Sequence, residues 1–346
     1  MLPKHVRRIR RFFHVFPLHF RAGRIPIPNP AVTKQAWENA LTLRLLVSEW
    51  CNYSCPYCPQ THGRKEIKGE LKDTAGKTLK VLTAHAFDNF AVDRWIAAFE
   101  KHFSGKRISM TITGGEPTLD RHNFPRFLKF LTEFCEVIRI DTNLWWSPEM
   151  FDGIDKSKII LMCTFHPSQT KLEPFLNRVK AAKKAGFDIG MINFVMNDDN
   201  RHHYEEFKPR FHELGIPLHP NPLWIENGLY TRRDMKVMSE NMPVWDYLYR
   251  SQLLSPIRKP CIYPTLAYEI DYRGNIWIGC HEKQLGTIFS DSLPQLPTGT
   301  SVPCPHKSCV CLDKYSFLAE DVNRNVTLNP LKIYSTELKK IQGIAN

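Results

Sequence analysis

The segment Cys51-Asn-Tyr-Ser-Cys55-Pro-Tyr-Cys58 places three cysteines within eight residues, directly after the apolar run Leu43–Glu49. The run is typical of a buried strand, and the cysteines follow its carboxyl end. Active sites of α/β barrels lie at that end of the strands. Three thiolates from one short loop can bind three irons of a four-iron cluster and leave the fourth iron open. A zinc site with His62 as fourth ligand is the structural alternative.

A second motif, Thr113-Gly114-Gly115-Glu116-Pro117, ends the next apolar run. Two glycines let the backbone approach a ligand closely, and a carboxylate follows them. Alone, this motif could be a plain turn. Because it comes one strand after the three-cysteine loop, we expect both motifs at the same edge of the sheet.

Apolar runs alternate with helix-period segments over residues 41–240. The predicted strands are Leu43–Glu49, Arg107–Thr113, Val137–Asp141, Ile159–Thr164, Phe187–Val195 and Ile216–Trp224. The predicted helices are Phe90–Phe103, Phe124–Phe134, Glu173–Ala185 and Tyr204–Leu214. Six alternations imply a parallel sheet, and the length is short of the ~250 residues of an eight-fold barrel. The predicted fold class is therefore α/β, a partial (β/α)6 TIM-like barrel followed by a small cysteine-rich β-hairpin plus helix domain. The predicted domains are a basic arm at 1–40, the barrel at 41–240, and a C-terminal domain with its tail at 241–346.

Together these motifs resemble those of the radical S-adenosylmethionine superfamily. The resemblance implies that Cys51, Cys55 and Cys58 hold a [4Fe-4S] cluster whose open iron is chelated by the methionyl group of S-adenosylmethionine. It also implies that Gly114, Gly115 and Glu116 bind the methionyl amino group and that Tyr57 lies beside the adenine. Reductive cleavage of the cofactor would then give a 5′-deoxyadenosyl radical, which abstracts a hydrogen atom from the substrate.

Other strand ends supply further candidates. Asn143 belongs to Asp141-Thr142-Asn143, which resembles the Thr-Asn-Gly of many relatives, but Leu144 replaces the glycine and predicts a different loop. Thr164 and His166 follow the fourth strand, where relatives often bind the ribose; a capping or turn role is the alternative. Arg178 could reach the cofactor carboxylate or be merely solvated. Cys163 is either a hydrogen-atom donor to a radical or, as we favour, a small core residue.

Five further cysteines, Cys261, Cys280, Cys304, Cys309 and Cys311, surround a predicted hairpin, Leu266–Asp271 and Asn275–Gly279 with Gly274 in the turn. This hairpin resembles that of the auxiliary-cluster domains called twitch and SPASM. The resemblance implies a second [4Fe-4S] cluster held by four of the five cysteines, and our preferred set includes Cys261 and Cys280. A zinc ribbon with four cysteines is the alternative.

The net charge and the clustered cysteines indicate which partners and which cellular compartment to expect. The chain of 346 residues carries 47 Lys and Arg against 35 Asp and Glu, a net charge of +12. Eight of these charges precede Glu38, so the arm 1–40 could bind nucleic acid, an acidic peptide or a membrane surface, or be a solvated helix. The sequence shows no signal peptide and no membrane span, and clustered cysteines then indicate metal sites and a reducing cytoplasm.

Two classes of function follow from these observations. The first is a radical enzyme that acts on a peptide or a small metabolite and takes its electron from an external donor such as flavodoxin or ferredoxin. The second comprises a tRNA- or RNA-modifying radical enzyme using the basic arm, which we do not favour because the arm shows no recognised RNA module, and a non-catalytic iron–sulfur or zinc protein.

Overall fold

The computed structural model describes residues 41–58, 85–222, 230–242, 255, 257–258, 260–261, 263–278, 283–297, 302–305, 339–340 and 342–344. The chain forms two compact units. The described residues of the first unit fall within 41–190 and 267–296, and those of the second within 191–266 and 297–346. The predictions for the basic arm, His62, Cys280, Cys309 and Cys311 lie outside the described residues.

The strands are β1 Leu41–Ser48, β2 Ile108–Gly114, β3 Val137–Thr142, β4 Ile159–Phe165, β5 Asp188–Met196, β6 Leu218–Pro222, β7 Pro260–Cys261, β8 Ala267–Ile270, β9 Asn275–Ile278, β10 Lys283–Thr287 and β11 Val302–Pro303. The helices are α1 Ala86–Asn89, α2 Val92–Phe103, α3 Asn123–Phe134, α4 Leu172–Lys184, α5 Tyr204–His212, α6 Arg232–Asn241 and α7 Tyr263–Leu266. Short 3-10 turns lie at Pro117–Leu119, Pro148–Phe151, Lys156–Lys158 and Arg201–His203. Every strand predicted for residues 41–240 is confirmed to within two residues at each end.

The sheet of the first unit has the strand order β10-β9-β8-β1-β2-β3-β4. Strands β1 to β4 are parallel. Helix α2 lies between β1 and β2 and α3 between β2 and β3, whereas only 3-10 turns lie between β3 and β4. The predicted α/β class is therefore confirmed. The predicted helix Phe90–Phe103 is present as α2, which begins two residues later, at Val92. Phe90 itself is extended, and its ring packs against Phe289 with centroids 4.5 Å apart.

The two faces of this sheet carry different side chains, as alternation along each strand requires. Register places fully buried apolar residues on one face: Leu43, Leu45, Met110, Ile112, Ile138 and Ile140. The other face carries buried polar residues: Thr42, Ser109, Thr111 and Arg139. Cys163 lies on the apolar face, because it shares a side of β4 with Phe165, whose ring packs on Phe175 of α4. This position and its complete burial support the core interpretation of Cys163.

The predicted hairpin is present as β8 and β9, with Gly274 at φ +79° in the turn. A side chain at Gly274 would collide with the Phe289 ring, so glycine serves both the turn and the packing. Strand β8 lies parallel to β1, so the hairpin extends the sheet that carries the three-cysteine loop. The proposed domain limits stay a prediction.

The second unit contains a parallel pair formed by residues 192–196 of β5 and β6. Helix α6 begins with a capping box in which Thr231 and Asp234 exchange hydrogen bonds with each other's backbone. Strands β7 and β11 form a short antiparallel pair. Within the described ranges, the helices lack the combined length and apolar character that crossing a bilayer requires.

Candidate functional site

The three-cysteine loop follows β1 as a compact turn. The Cys58 amide donates to the Cys55 carbonyl at 3.1 Å, and the Tyr53 amide approaches Cys51 Sγ at 3.4 Å. The Ser54 amide donates to Gln169 Oε1 at 3.0 Å, which ties the loop to the segment after β4. Cys55 is buried, and the other two thiols are partly exposed. One short segment thus presents three cysteine thiols at the carboxyl end of a parallel strand.

The chemistry of these thiols fits a cationic metal group. The pKa of Cys55 is raised to about 12, mainly by burial; the hydrogen bond with Tyr57 opposes this shift, and the nearby Cys58 and Cys51 add to it. Three thiolates close together in a buried loop are therefore costly unless positive charge compensates them. In the described part of the chain, no group of three or more His, Cys, Asp or Glu side chains is arranged to hold a single metal ion. A four-iron cluster does not need such convergence, because each thiolate binds a separate iron.

The glycine pair after β2 is required by close backbone packing. A Cβ at Gly114 would lie 2.1 Å from the Ser48 carbonyl oxygen, and one at Gly115 would lie 1.9 Å from that of Trp50. The Gly115 amide donates to Ser48 at 2.7 Å, and the Glu116 amide donates to Trp50 at 2.6 Å. Only glycine lets the end of β2 approach the segment that leads into the cysteine loop.

Glu116 is a buried carboxylate that joins the ends of β2 and β3. Its Oε1 accepts from Thr118 Oγ1 at 2.6 Å and from Thr142 Oγ1 at 2.8 Å, and its Oε2 accepts from the Asn143 amide at 2.6 Å. The Thr118 amide adds a longer bond of 3.3 Å. Burial raises the pKa of Glu116, and these bonds partly oppose the shift. All four donors are neutral, so a bound cation would stabilise the ionised carboxylate.

Asn143 connects the end of β3 to the cysteine loop. Its Nδ2 donates to Asn52 Oδ1 at 2.9 Å and contacts Cys51 Sγ at 3.7 Å. The next residue, Leu144, has φ +59°, the left-handed conformation that glycine favours. Leucine thus adopts a backbone conformation that glycine favours, and the predicted difference of this loop from that of relatives stays a prediction. The Leu144 amide donates to Thr142 Oγ1 at 3.0 Å, which holds the turn.

His166 and Tyr57 lie together against the buried cysteine. The two rings stack with centroids 5.9 Å apart, and His166 Nδ1 lies 2.9 Å from the Tyr57 hydroxyl and 3.4 Å from Cys55 Sγ. Desolvation lowers the pKa of His166 to about 4, so the ring is neutral at pH 7. Thr164 lies within β4 and is partly exposed. The structure therefore brings Tyr57 and His166 to the cysteine loop, and the ligand-binding roles of all three residues stay predictions.

Arg178 of α4 reaches the cysteine loop rather than bulk solvent. One terminal nitrogen donates to Thr170 Oγ1 at 2.9 Å and contacts the Tyr53 hydroxyl at 3.4 Å. Its guanidinium carbon lies 5.0 Å from the centroid of the Trp145 ring. Sequence reasoning did not select Tyr53, Trp145 or Gln169 as site residues. The available signal was adjacency: Tyr53 lies between two motif cysteines, and Trp145 follows Asn143 by two positions.

Two of the C-terminal cysteines are described, and both belong to the second unit. Cys261 of β7 pairs with Val302 of β11, two residues before Cys304. The Arg258 amide donates to the Cys304 carbonyl at 2.7 Å. Cys304 is buried, and Cys261 is partly exposed. The short strand pair thus brings the chain segments of these two cysteines together, and the complete ligand set stays a prediction.

Comparison with solved structures finds similarity to SuiB from Streptococcus suis. SuiB bound to the precursor peptide SuiA matches with 14% identity and a TM-score of 0.48, over 73% of this chain and 63% of that chain. SuiB bound to S-adenosylmethionine matches with 16% identity and a TM-score of 0.48, over 73% and 64%. This chain therefore spans less than two thirds of SuiB.

A further similar structure is BtrN in complex with AdoMet and 2-DOIA, with 14% identity and a TM-score of 0.29 over 71% of this chain and 77% of that chain. No protein-family model matches the sequence, and comparison with curated proteins finds no relative. Because these TM-scores are below 0.5, the structural similarity by itself establishes neither fold nor function for this chain.

Proposed function

We propose that the protein is a radical S-adenosylmethionine enzyme. The observation that carries the proposal is the network around Glu116, a buried carboxylate with only neutral hydrogen-bond donors. The network lies beside the loop with three cysteine thiols. Asn143 joins the two, because its backbone amide donates to Glu116 and its side-chain amide contacts Cys51. A ligand that carries a cationic group and also binds iron would satisfy both halves of this arrangement.

In this proposal Cys51, Cys55 and Cys58 hold a [4Fe-4S] cluster, and Gly114, Gly115 and Glu116 bind the methionyl amino group of the cofactor. When bound, the cluster would supply the electron that cleaves S-adenosylmethionine to a 5′-deoxyadenosyl radical, which removes a hydrogen atom from the substrate. This chain's own residues bind, orient and shield these groups.

Four further residues orient the cofactor in the proposal. Tyr57 and His166 form a stacked pair beside the buried thiol, and we propose that they line the adenosine end. Asn143 offers its side-chain amide at the cysteine loop. Arg178 supplies a guanidinium whose Nε is buried without a partner among the described residues, and in the proposal it donates to the cofactor carboxylate at the loop.

A second [4Fe-4S] cluster remains part of the proposal, with four ligands drawn from Cys261, Cys280, Cys304, Cys309 and Cys311. The support is the β7–β11 pair, which places the segments of Cys261 and Cys304 side by side. The substrate would be a peptide or a small metabolite, and the external electron donor a flavodoxin or ferredoxin.

The decisive experiment compares the wild type with the Cys51→Ala/Cys55→Ala/Cys58→Ala variant after anaerobic cluster reconstitution. Iron and zinc are quantified, and 5′-deoxyadenosine is measured by mass spectrometry after addition of dithionite and S-adenosylmethionine. The wild type should hold about eight irons as two four-iron clusters, and the variant about four. The wild type alone should form 5′-deoxyadenosine.

Cys135→Ala is the matched control, because Cys135 is a buried free cysteine at the end of α3. It should keep full iron content and full 5′-deoxyadenosine formation. Zinc without iron and without 5′-deoxyadenosine would replace the proposal with the structural zinc alternative. Full iron without 5′-deoxyadenosine would favour the non-catalytic iron–sulfur alternative.

A further inference from the structure

Trp145 is a large apolar side chain held half-exposed at the candidate site. It is 47% exposed, whereas its neighbours Leu144 and Trp146 are buried. The Trp146 ring packs against Phe151 with centroids 4.8 Å apart, and its Nε1 donates to Thr142 Oγ1 at 3.2 Å. The same loop therefore buries the indole of Trp146 and leaves the indole of Trp145 exposed to solvent.

The loop adopts a strained backbone in presenting Trp145. Leu144 at φ +59° occupies the left-handed region, which is unfavourable for a residue other than glycine. Two local hydrogen bonds hold this conformation: the Leu144 amide donates to Thr142 Oγ1, and the Trp145 amide donates to Asn143 Oδ1 at 3.0 Å. Strain of this kind persists where surrounding structure enforces it, and it concentrates at binding sites.

The position of Trp145 is also fixed relative to the proposed cluster. Asn143, two residues earlier, contacts Cys51 Sγ with its side-chain amide. The Trp145 ring meets the Tyr53 ring nearly edge-on, with centroids 6.1 Å apart. Tyr53 is itself a member of the cysteine loop. A molecule on the exposed part of the indole would therefore lie next to the loop where the reactive group forms.

The positive charge of Arg178 determines which chemical groups can bind to the Trp145 ring. The Arg178 guanidinium lies 5.0 Å from the centroid of the Trp145 ring and draws the π-electron density of the indole toward itself. A second cation there would be repelled by Arg178. The weakly positive C–H groups of a polyol would be held less well than on a free indole. An electron-rich aromatic ring, in offset or edge contact, is the group that this environment favours.

We propose that Trp145 binds an aromatic side chain of a peptide substrate. The inference rests on the proposed function, and it selects the peptide class over the small polar metabolite. Trp145 acts as a specificity residue that positions the substrate and takes no part in the chemical step.

Ligand-observed saturation-transfer NMR tests this assignment on the cluster-loaded full chain, with S-adenosylmethionine present and no reductant. The probes are N-acetyl-tyrosinamide, N-acetyl-leucinamide, N-acetyl-lysinamide and sorbitol. The aromatic protons of the tyrosine probe should receive the strongest signal. Trp145→Ala should weaken binding of this probe about two- to tenfold, the range of one aromatic pair.

Trp50→Ala is the matched control, because Trp50 is 44% exposed, precedes the same cysteine loop and contacts His85 rather than an arginine. It should leave binding of the tyrosine probe unchanged, and Trp145→Phe should retain most of it. Equal binding of sorbitol or the lysine probe through Trp145 would overturn the proposal. So would unchanged tyrosine binding in Trp145→Ala, or a parallel loss of S-adenosylmethionine affinity, which would assign the ring to the cofactor.

The two proposals fail in different ways. If the protein forms no 5′-deoxyadenosine while the tyrosine probe still depends on Trp145, the radical function is wrong and the aromatic site stands. If 5′-deoxyadenosine forms while the tyrosine probe binds Trp145→Ala as well as the wild type, the aromatic site is wrong and the radical function stands. Probe binding is read without turnover, so the readouts are independent.

Discussion

Two regions of the first unit each bury a glutamate carboxylate, and they stabilise it differently. At the carboxyl ends of β1 to β3, Glu116 receives only neutral N–H and O–H donors. At the β8 edge, Glu269 lies in register beside Arg44 of β1 and forms an ion pair at 3.4 Å. A charge paired within the protein has a structural role, whereas a charge left to neutral donors can still attract a cation. We call the carboxyl ends of β1 to β3, where Glu116 lies, the binding edge. We call the side of β1 that pairs with β8, where Glu269 is paired within the protein, the joining edge.

The largest effect should come from the glycine pair at the binding edge. Gly115→Ala would force a Cβ to within 1.9 Å of the Trp50 carbonyl oxygen, a backbone atom that cannot turn away. We expect a loss of about 3 kcal/mol or more in the free energy of unfolding, measured by urea denaturation. In Gly286→Ala of β10 the new Cβ meets its nearest atoms, in Pro294, at 3.9 Å, and the change should cost less than about 1 kcal/mol. Similar losses in both variants would contradict the close approach at the binding edge.

The two glutamates themselves provide the next comparison. Glu116→Gln removes the negative charge at the binding edge and should weaken S-adenosylmethionine binding about ten- to hundredfold, the range of one hydrogen bond to a charged group. Glu269→Gln should leave this affinity within about twofold, because its effect is confined to the Arg44 pair. Isothermal titration of the cluster-loaded protein measures both. Equal loss in the two variants would remove the distinction between the edges.

The pH dependence of stability sharpens the same contrast. Burial raises the pKa of Glu116, so the folded chain keeps this proton to a higher pH than the unfolded chain does. The contribution of the neutral carboxyl is full below the unfolded-state pKa and is lost as the pH rises through the folded-state value. The free energy of unfolding of the wild type, minus that of Glu116→Gln, should therefore fall from about pH 4 upward. A difference that rises over this range would show that the carboxylate is already compensated by a cation.

The smallest effect should come from an exposed ion pair at the hairpin. Lys101 of α2 lies 3.0 Å from Asp291, whose side chain is fully exposed to solvent. Asp291→Asn should leave the urea midpoint unchanged, because water and salt screen such a pair. In contrast, Phe289→Ala should lower the midpoint, since its ring packs against Phe90 and Trp95. A larger fall of the urea midpoint in Asp291→Asn than in Phe289→Ala would show that electrostatics, rather than ring packing, holds this segment against α2.

The strands and the motif positions could be predicted from the sequence because their signals are local. An apolar run marks each strand, and the cysteines and glycines lie at run ends. The donors of Glu116 could not be predicted, because Thr142 and Asn143 lie 26 and 27 residues away and meet it only when β2 and β3 align. The contacts of Arg178 with Tyr53, 125 residues apart, likewise depend on tertiary packing.

Leu144 shows a different limit. Leu144 takes the glycine position of a Thr-Asn-Gly-like segment, but leucine itself disfavours a left-handed backbone, so the sequence predicted a different loop. The conformation becomes accessible because Thr142 accepts the Leu144 amide and the leucine side chain is buried. Local preference is overridden here by groups that the fold brings into place.

The parallel pairing of β8 with β1 also constrains how the chain can be made. Arg44 and Glu269, which face each other in this pairing, are separated by 225 residues. During synthesis, one side of β1 therefore stays unpaired until most of the chain has left the ribosome. Until then β1 is an open sheet edge that can pair with another nascent chain, and long-range pairings of this kind form slowly. Production in cells should therefore depend on slow translation or chaperone protection, with early termination before β8 favouring aggregation.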